Sequence, residues 1–156
     1  MVRRLGVGSP LVLLHGGFGS SSVWGPQVPV LAEHFRVFAA DRRGQGRTAD
    51  MEGPITYPLM TRDTIGFLEV AVHGPAHLVG WSDGANVALM VAMERPDLVE
   101  KLVLISSVFD VSGTVPELLE AAPSLSPDDP ELDFPGPSTA RSLPTGRSTG
   151  RSCSRS

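Results

Sequence analysis

The chain has 156 residues, 41% of them hydrophobic and 19% charged, which is enough for one core-bearing domain and too few for two. A formal net charge of −4 and a pI near 5.5 argue against a phosphate-backbone binder, so no nucleic-acid partner is expected. The single cysteine, Cys153, excludes an intramolecular disulfide, and no Cys/His cluster has zinc-ligand spacing, so neither a metal nor any other cofactor is expected.

Leu11 to Leu14 is the longest apolar stretch near the start. It falls far short of the roughly 18 residues of a membrane helix. It is also shorter than a signal-peptide apolar region of about 7 to 15 residues, although Arg3 and Arg4 precede it. The expectation is a soluble, cytoplasmic protein with no membrane partner.

From Pro10 to about Ala122, short apolar runs alternate with helix-like stretches and glycine-rich turns, the βαβ rhythm of a parallel sheet. Leu11-Val12-Leu13-Leu14 reads as a strand buried on both faces. A helix from about Trp24 to His34 follows a Ser20-Ser21-Ser22 cluster suited to capping it. Phe35 to Ala40 is the second strand. The second helix runs from Pro58 to about Val72, with Ile65, Leu68 and Val72 at helical spacing. His77 to Trp81 is the third strand. Asp83 to Glu94 is a helix carrying Val87, Leu89, Met90, Val91 and Met93, stopped at Arg95-Pro96. Lys101 to Ser106 is the fourth strand.

The character changes after Ala122. Of the 34 residues from Pro123 to Ser156, 6 are Pro and 8 Ser, against too few large apolar side chains for a core, so the segment 123–156 is expected to be a disordered tail.

Gly80-Trp81-Ser82-Asp83-Gly84 is a Gly-x-Ser-x-Gly motif placed between an apolar strand and an amphipathic helix, the context of a nucleophile elbow. Ser82 is the candidate nucleophile at the carboxyl edge of the sheet, and the flanking glycines answer the strain of its backbone. The reading to be weighed against this one is an ordinary βα turn with a serine cap. His15-Gly16-Gly17-Phe18-Gly19 follows the first buried strand and lets backbone N–H groups approach a substrate oxygen. The backbone amides of Phe18, with Gly17 adjacent, and of Asp83 form the candidate oxyanion hole. His15 is expected to brace its loop. Trp24 and Trp81 are candidates for lining an acyl pocket beside Gly17, with core packing as the default for aromatics.

Leu13-Leu14-His15-Gly16-Gly17, then Asp41-Arg42-Arg43-Gly44-Gln45-Gly46-Arg47, then Val79 to Gly84, in this order and spacing, resemble the α/β-hydrolase fold family. The nearest likeness is to its esterase, enol-lactonase and non-heme peroxidase-like members, over about Leu5 to Val111, roughly the amino-terminal half of such a protein. The resemblance implies a doubly wound, mostly parallel sheet, truncated at both ends. Serine, rather than the elbow aspartate of the dehalogenase branch, implies attack on ester, lactone or amide bonds of a small molecule. Arg42 is expected to pair with Asp41 or Asp63 and fix the loop.

A serine hydroxyl needs a histidine base oriented by a carboxylate, and in this fold both follow the serine. All four histidines, His15, His34, His73 and His77, precede Ser82. Asp110 stands at an alternative acid position used by some members. Written in GC-rich codons and read out of frame from Leu143, the last residues permit A-D-G-P-E-H-W-T-V-V-L-A-K, which reads like the cap region of this family, so a frameshift is the expected origin of the tail. The chain alone is expected to turn over little. The alternatives are a non-catalytic α/β binding module, self-associating through an exposed sheet edge, a broken hydrolase fragment, or a nucleic-acid binder acting through the tail arginines Arg141, Arg147, Arg151 and Arg155.

Overall fold

In a computed structural model, residues 2–49, 52–108 and 110 are described. The expected tail, the reading of its origin and the carboxyl end of the 1–122 core lie outside the described residues. The described sheet consists of β1 (Val2–Leu5), β2 (Pro10–Leu14), β3 (Arg36–Ala40), β4 (Ala76–Trp81) and β5 (Val99–Ile105), in the order β1-β3-β2-β4-β5. All neighbours run parallel except β1, which is antiparallel to β3.

The four expected strands are all present, with β5 starting two residues earlier than the sequence suggested. β1 was not among the expected strands, and it places one strand ahead of the His-Gly-Gly strand. Its four residues are exposed, two are arginines, and it is held by pairing to β3 with the Arg4 guanidinium 5.9 Å from the Phe38 ring centre. An exposed edge strand lacks the apolar run by which buried parallel strands announce themselves.

The helices are α1 (Gln27–Leu31), α2 (Tyr57–Phe67) and α3 (Asp83–Glu94). The predicted helix from Trp24 to His34 is divided into a 3-10 turn over Ser21–Trp24 and the short α1. Pro26 has no N–H to continue the ladder, so the chain restarts there. Thr56 caps α2, its hydroxyl accepting from the Leu59 N–H at 3.4 Å. Beyond Phe67 the predicted helix widens into a π turn over Leu68–Val72, closed by His73 at φ 66°.

Strand alternation distributes the core to both faces of the sheet. Val12, Leu14, Phe38 and Leu78 pack with Met60, Leu68, Val87 and Val91 beneath α2 and α3. Leu11, Leu13, Val37 and Ala39 pack with Trp24 and Val28 on the opposite face. Each of these strands is thus buried twice, as the doubly wound reading requires.

Candidate active site

The register of β2 against β4 sets Leu14 opposite Gly80. Both strands therefore end at one level, and the loop after β2 meets the turn after β4. A Cβ added to Gly16 would lie 3.4 Å from the Ser82 Cβ and 3.3 Å from the Trp81 ring. One added to Gly17 would lie 3.7 Å from the Asp83 Cβ. The two glycines allow this approach.

Ser82 has φ 52° and ψ −119°, a conformation a non-glycine residue adopts at a cost. The surroundings hold it there. Its N–H donates to the Ile105 carbonyl at 2.8 Å, and its carbonyl accepts from the Ala85 and Asn86 amides as α3 begins. A Cβ on Gly80 would fall 2.4 Å from the Gly84 carbonyl oxygen, and one on Gly84 would fall 2.3 Å from the Leu14 carbonyl oxygen. Side chains at these two positions are excluded by backbone, so the spacing of the motif has a steric cause. Phe18, in the facing loop, also has positive φ, at 55°, and its side chain is exposed.

His15 is fully buried. Its Nδ1 donates to the Gly16 carbonyl at 2.8 Å and its Nε2 accepts from the Arg42 N–H at 3.2 Å, which fixes the tautomer of a neutral ring. Burial, aided by the nearby Arg42 charge, lowers its pKa to about 4. With both nitrogens engaged it braces the loop, as expected. The other histidines stand at the opposite edge of the sheet. His34 precedes β3, His73 precedes β4, and His77, at the start of β4, contacts Glu100 at 3.3 Å. Five residues of strand, about 16 Å, separate His77 from Ser82.

The charged loop between β3 and α2 departs from the expected pairing. Arg42 pairs with neither Asp41 nor Asp63. Its Nη2 lies 2.8 Å from Asp83 Oδ2, with the N–H directed off that line, so the contact is a charge pair more than a formed hydrogen bond. Asp63 is held instead by Arg43, at 2.7 Å and 2.8 Å. Asp41 accepts from the Ser21 N–H at 2.8 Å and from the N–H and Nε of Arg47, each at 3.1 Å. Burial alone would raise the Asp41 pKa, but these bonds outweigh it and hold the carboxylate at about 2.

Sequence reasoning missed Tyr57 and Asn86. Asn86 donates from Nδ2 to the Tyr57 hydroxyl at 3.2 Å, and its Oδ1 accepts from the Ser107 hydroxyl at 2.9 Å and the Val108 N–H at 3.1 Å. Burial and the neighbouring Asp83 push the Tyr57 pKa up. One signal was available, a polar amide one helical turn after Ser82 in an otherwise apolar helix. Asn86 thereby ties α3 to the segment that leads from β5 to Asp110, which is exposed.

Of the two tryptophans, Trp24 is buried in the core on the α1 side, and Trp81 is half-buried against that same cluster. A cavity of about 400 Å³ lies on the α2 side of Arg42, between Leu14, Asp41, Met60, Thr64 and Phe67, and takes in neither Ser82 nor either tryptophan. Among the described residues no cluster of three or more His, Cys, Asp or Glu has metal-binding geometry, and no helix is long and apolar enough to cross a membrane.

The model of the alpha/beta hydrolase fold family matches residues 9–132. A pimeloyl-acyl-carrier-protein methyl ester esterase of Aeromonas hydrophila is 34% identical, over 68% of this chain and 41% of the relative. An (E)-2-((N-methylformamido)methylene)succinate hydrolase of Acinetobacter baylyi is 26% identical over 83% of this chain and 50% of the relative. Among solved structures, Est816, described as an N-acyl homoserine lactone degrading enzyme, superposes with a TM-score of 0.71 at 25% identity, covering 78% of this chain and 47% of that one. The chain spans between 36% and 50% of the length of the curated relatives it matches. A strained serine between two sterically required glycines, facing a glycine loop at the carboxyl edge of a parallel sheet, agrees with these matches, and the chain belongs to the alpha/beta hydrolase fold family.

Proposed function

We propose that the chain carries the nucleophile half of a serine hydrolase acting on ester or lactone bonds of a small molecule, with Ser82 as nucleophile. The observation that carries this reading is the positive φ of Ser82 at the carboxyl end of β4, imposed between Gly80 and Gly84. Strain of this kind persists only where the surrounding structure enforces it, and it projects the hydroxyl out of the turn. Ser82 Oγ attacks the carbonyl carbon and its proton passes to a base. The ester C–O bond breaks, the protonated alcohol leaves, and water then releases the acid from the acyl-enzyme. The amides of Phe18 and Asp83 stabilise the oxyanion. Gly17 and Trp81 flank the approach, and Trp24 lies in the buried cluster against which Trp81 packs. Asp110 is the acid candidate. No cofactor enters the reaction.

None of the four histidines stands where a base is needed, so the 156-residue chain by itself turns over little. Hydrolysis of a short-chain p-nitrophenyl ester and of a lactone, with and without added imidazole as the base, tests the reading. Imidazole-dependent hydrolysis that Ser82→Ala abolishes supports it. Equal rates in the variant sink it.

A second reading rests on β5. Val103, Leu104 and Ile105 expose between 37% and 49% of their surfaces on a strand of a parallel sheet. Pairing of two copies, antiparallel across this edge and centred between Val103 and Leu104, sets Lys101 opposite Ser106 and opposes no like charges. A cytoplasmic location, expected from the shortness of the apolar stretch Leu11 to Leu14, completes the proposal.

A further inference from the structure

We propose that Arg42 is a positioning residue that holds the two halves of the oxyanion hole in register, an inference that rests on the assignment of Ser82 as nucleophile. Arg42 is the point where the three sequence motifs meet. Its main chain holds the glycine loop: the N–H donates to His15 Nε2, and His15 Nδ1 donates to the Gly16 carbonyl. That carbonyl also accepts from the Gly19 N–H at 3.4 Å, closing the turn that carries Phe18. Its side chain holds the elbow through the charge pair with Asp83. One residue therefore touches the supports of both amides.

The energetics make this a stiff link. The Arg42 side chain is 7% exposed, and besides Asp83 its guanidinium donates to the thioether of Met60 at 3.2 Å. A buried cation with a weak sulfur acceptor cannot give up its carboxylate without a large desolvation penalty. The Asp83 carboxylate is therefore anchored, and the amide of the same residue is fixed with it. The two loops lie close together, since a Cβ added to Gly17 would fall 3.7 Å from the Asp83 Cβ. A displacement of a few tenths of an ångström at Asp83 moves one donor and leaves the other in place. Donors aimed at an oxyanion act through such pre-set spacing.

The test uses the full chain, a fluorophosphonate probe and added imidazole, and separates the maximal rate of Ser82 modification from the probe concentration at half-maximal rate. Arg42→Met is expected to lower the maximal rate by about 10- to 100-fold, a part of what loss of a whole hole donor costs. The half-saturating concentration should stay within about threefold. Arg42→Lys, which keeps the charge, should recover much of the rate, and Arg43→Met, on the neighbouring Asp63 pair, should leave it unchanged. Amide hydrogen exchange provides the readout that does not need a reactive serine: Arg42→Met should raise exchange selectively at Gly19 and Ala85, whose amides donate to the Gly16 and Ser82 carbonyls in the two turns. An unchanged rate, or an even rise in exchange across the sheet, would overturn the proposal. If Ser82 proves unreactive in the parent chain, the nucleophile assignment falls, and the exchange pattern alone decides whether Arg42 couples the two loops.

Discussion

The absent Cβ of Gly84 would stand 2.3 Å from the carbonyl oxygen of Leu14, the last residue of the neighbouring strand. Both partners are backbone, so neither can swing away. Gly84→Ala must push α3 off the sheet and should cost at least about 2 kcal/mol, within the range of overpacked cores. Gly66→Ala is the matched control, since nothing lies within 4 Å of the added methyl and the residue is helical. It should stabilise by about 0.5–1 kcal/mol. Urea midpoints of the two variants should move in opposite directions.

Ser82 stores strain that its chemistry requires. Ser82→Gly should relieve it and stabilise the fold by about 1 kcal/mol, because glycine adopts positive φ freely. Ser82→Ala keeps the strain and should change stability far less. Thermal unfolding of the pair separates these outcomes, and a Ser82→Gly variant less stable than Ser82→Ala would contradict the account.

His15 gives stability a pH dependence of predictable sign. Its folded pKa of about 4 lies below the unfolded value of 6.5, so the unfolded chain binds more protons between these limits. Its contribution is full above about pH 6.5 and is lost as pH falls towards 4, by up to about 3 kcal/mol. His15→Gln should be less stable at neutral pH and should flatten the slope in that window. Denaturation midpoints at half-unit pH steps provide the check.

Asp41 titrates in a lower window. Held at about 2 by Ser21 and Arg47 against 3.8 for a free carboxyl, it stabilises the fold above about pH 4, and that stability fades as pH falls through the folded value. The loss is about 2 kcal/mol. Asp41→Asn should remove this acid sensitivity and loosen the loop through Arg47. Acid titration of both chains by near-ultraviolet circular dichroism would reveal the difference.

The exposed apolar side chains of β5 predict concentration-dependent association. Val103→Lys should shift the chain towards monomer in sedimentation velocity, and Val70→Lys, an equally apolar but helical surface position, should not. A parent chain that is monomeric at all concentrations rules out pairing at this edge.

The sequence made the middle of the fold readable because local pattern and burial agree there. β2 and β4 are apolar runs on both faces, and α3 is bounded by its own elbow and by Pro96, so the strand, turn and helix around Ser82 are legible in the sequence. β1 was invisible because its stability comes from β3 and not from its own residues. The partner of Arg42 was misread for a related reason. Asp41 and Asp63 are nearer in sequence, whereas Asp83 is brought within 2.8 Å only by the register of the sheet. Asn86 and Tyr57 meet through the packing of α2 on α3, which no periodicity specifies.

The most direct test of the central claim is intact-mass spectrometry of the chain after exposure to a fluorophosphonate, with and without imidazole, beside Ser82→Ala. The account predicts a single adduct on Ser82 that forms readily only with imidazole and is absent from the variant. An adduct elsewhere, or none in imidazole, would contradict the assignment of Ser82 as nucleophile. Rapid labelling without imidazole would contradict the claim that none of the four histidines serves as its base.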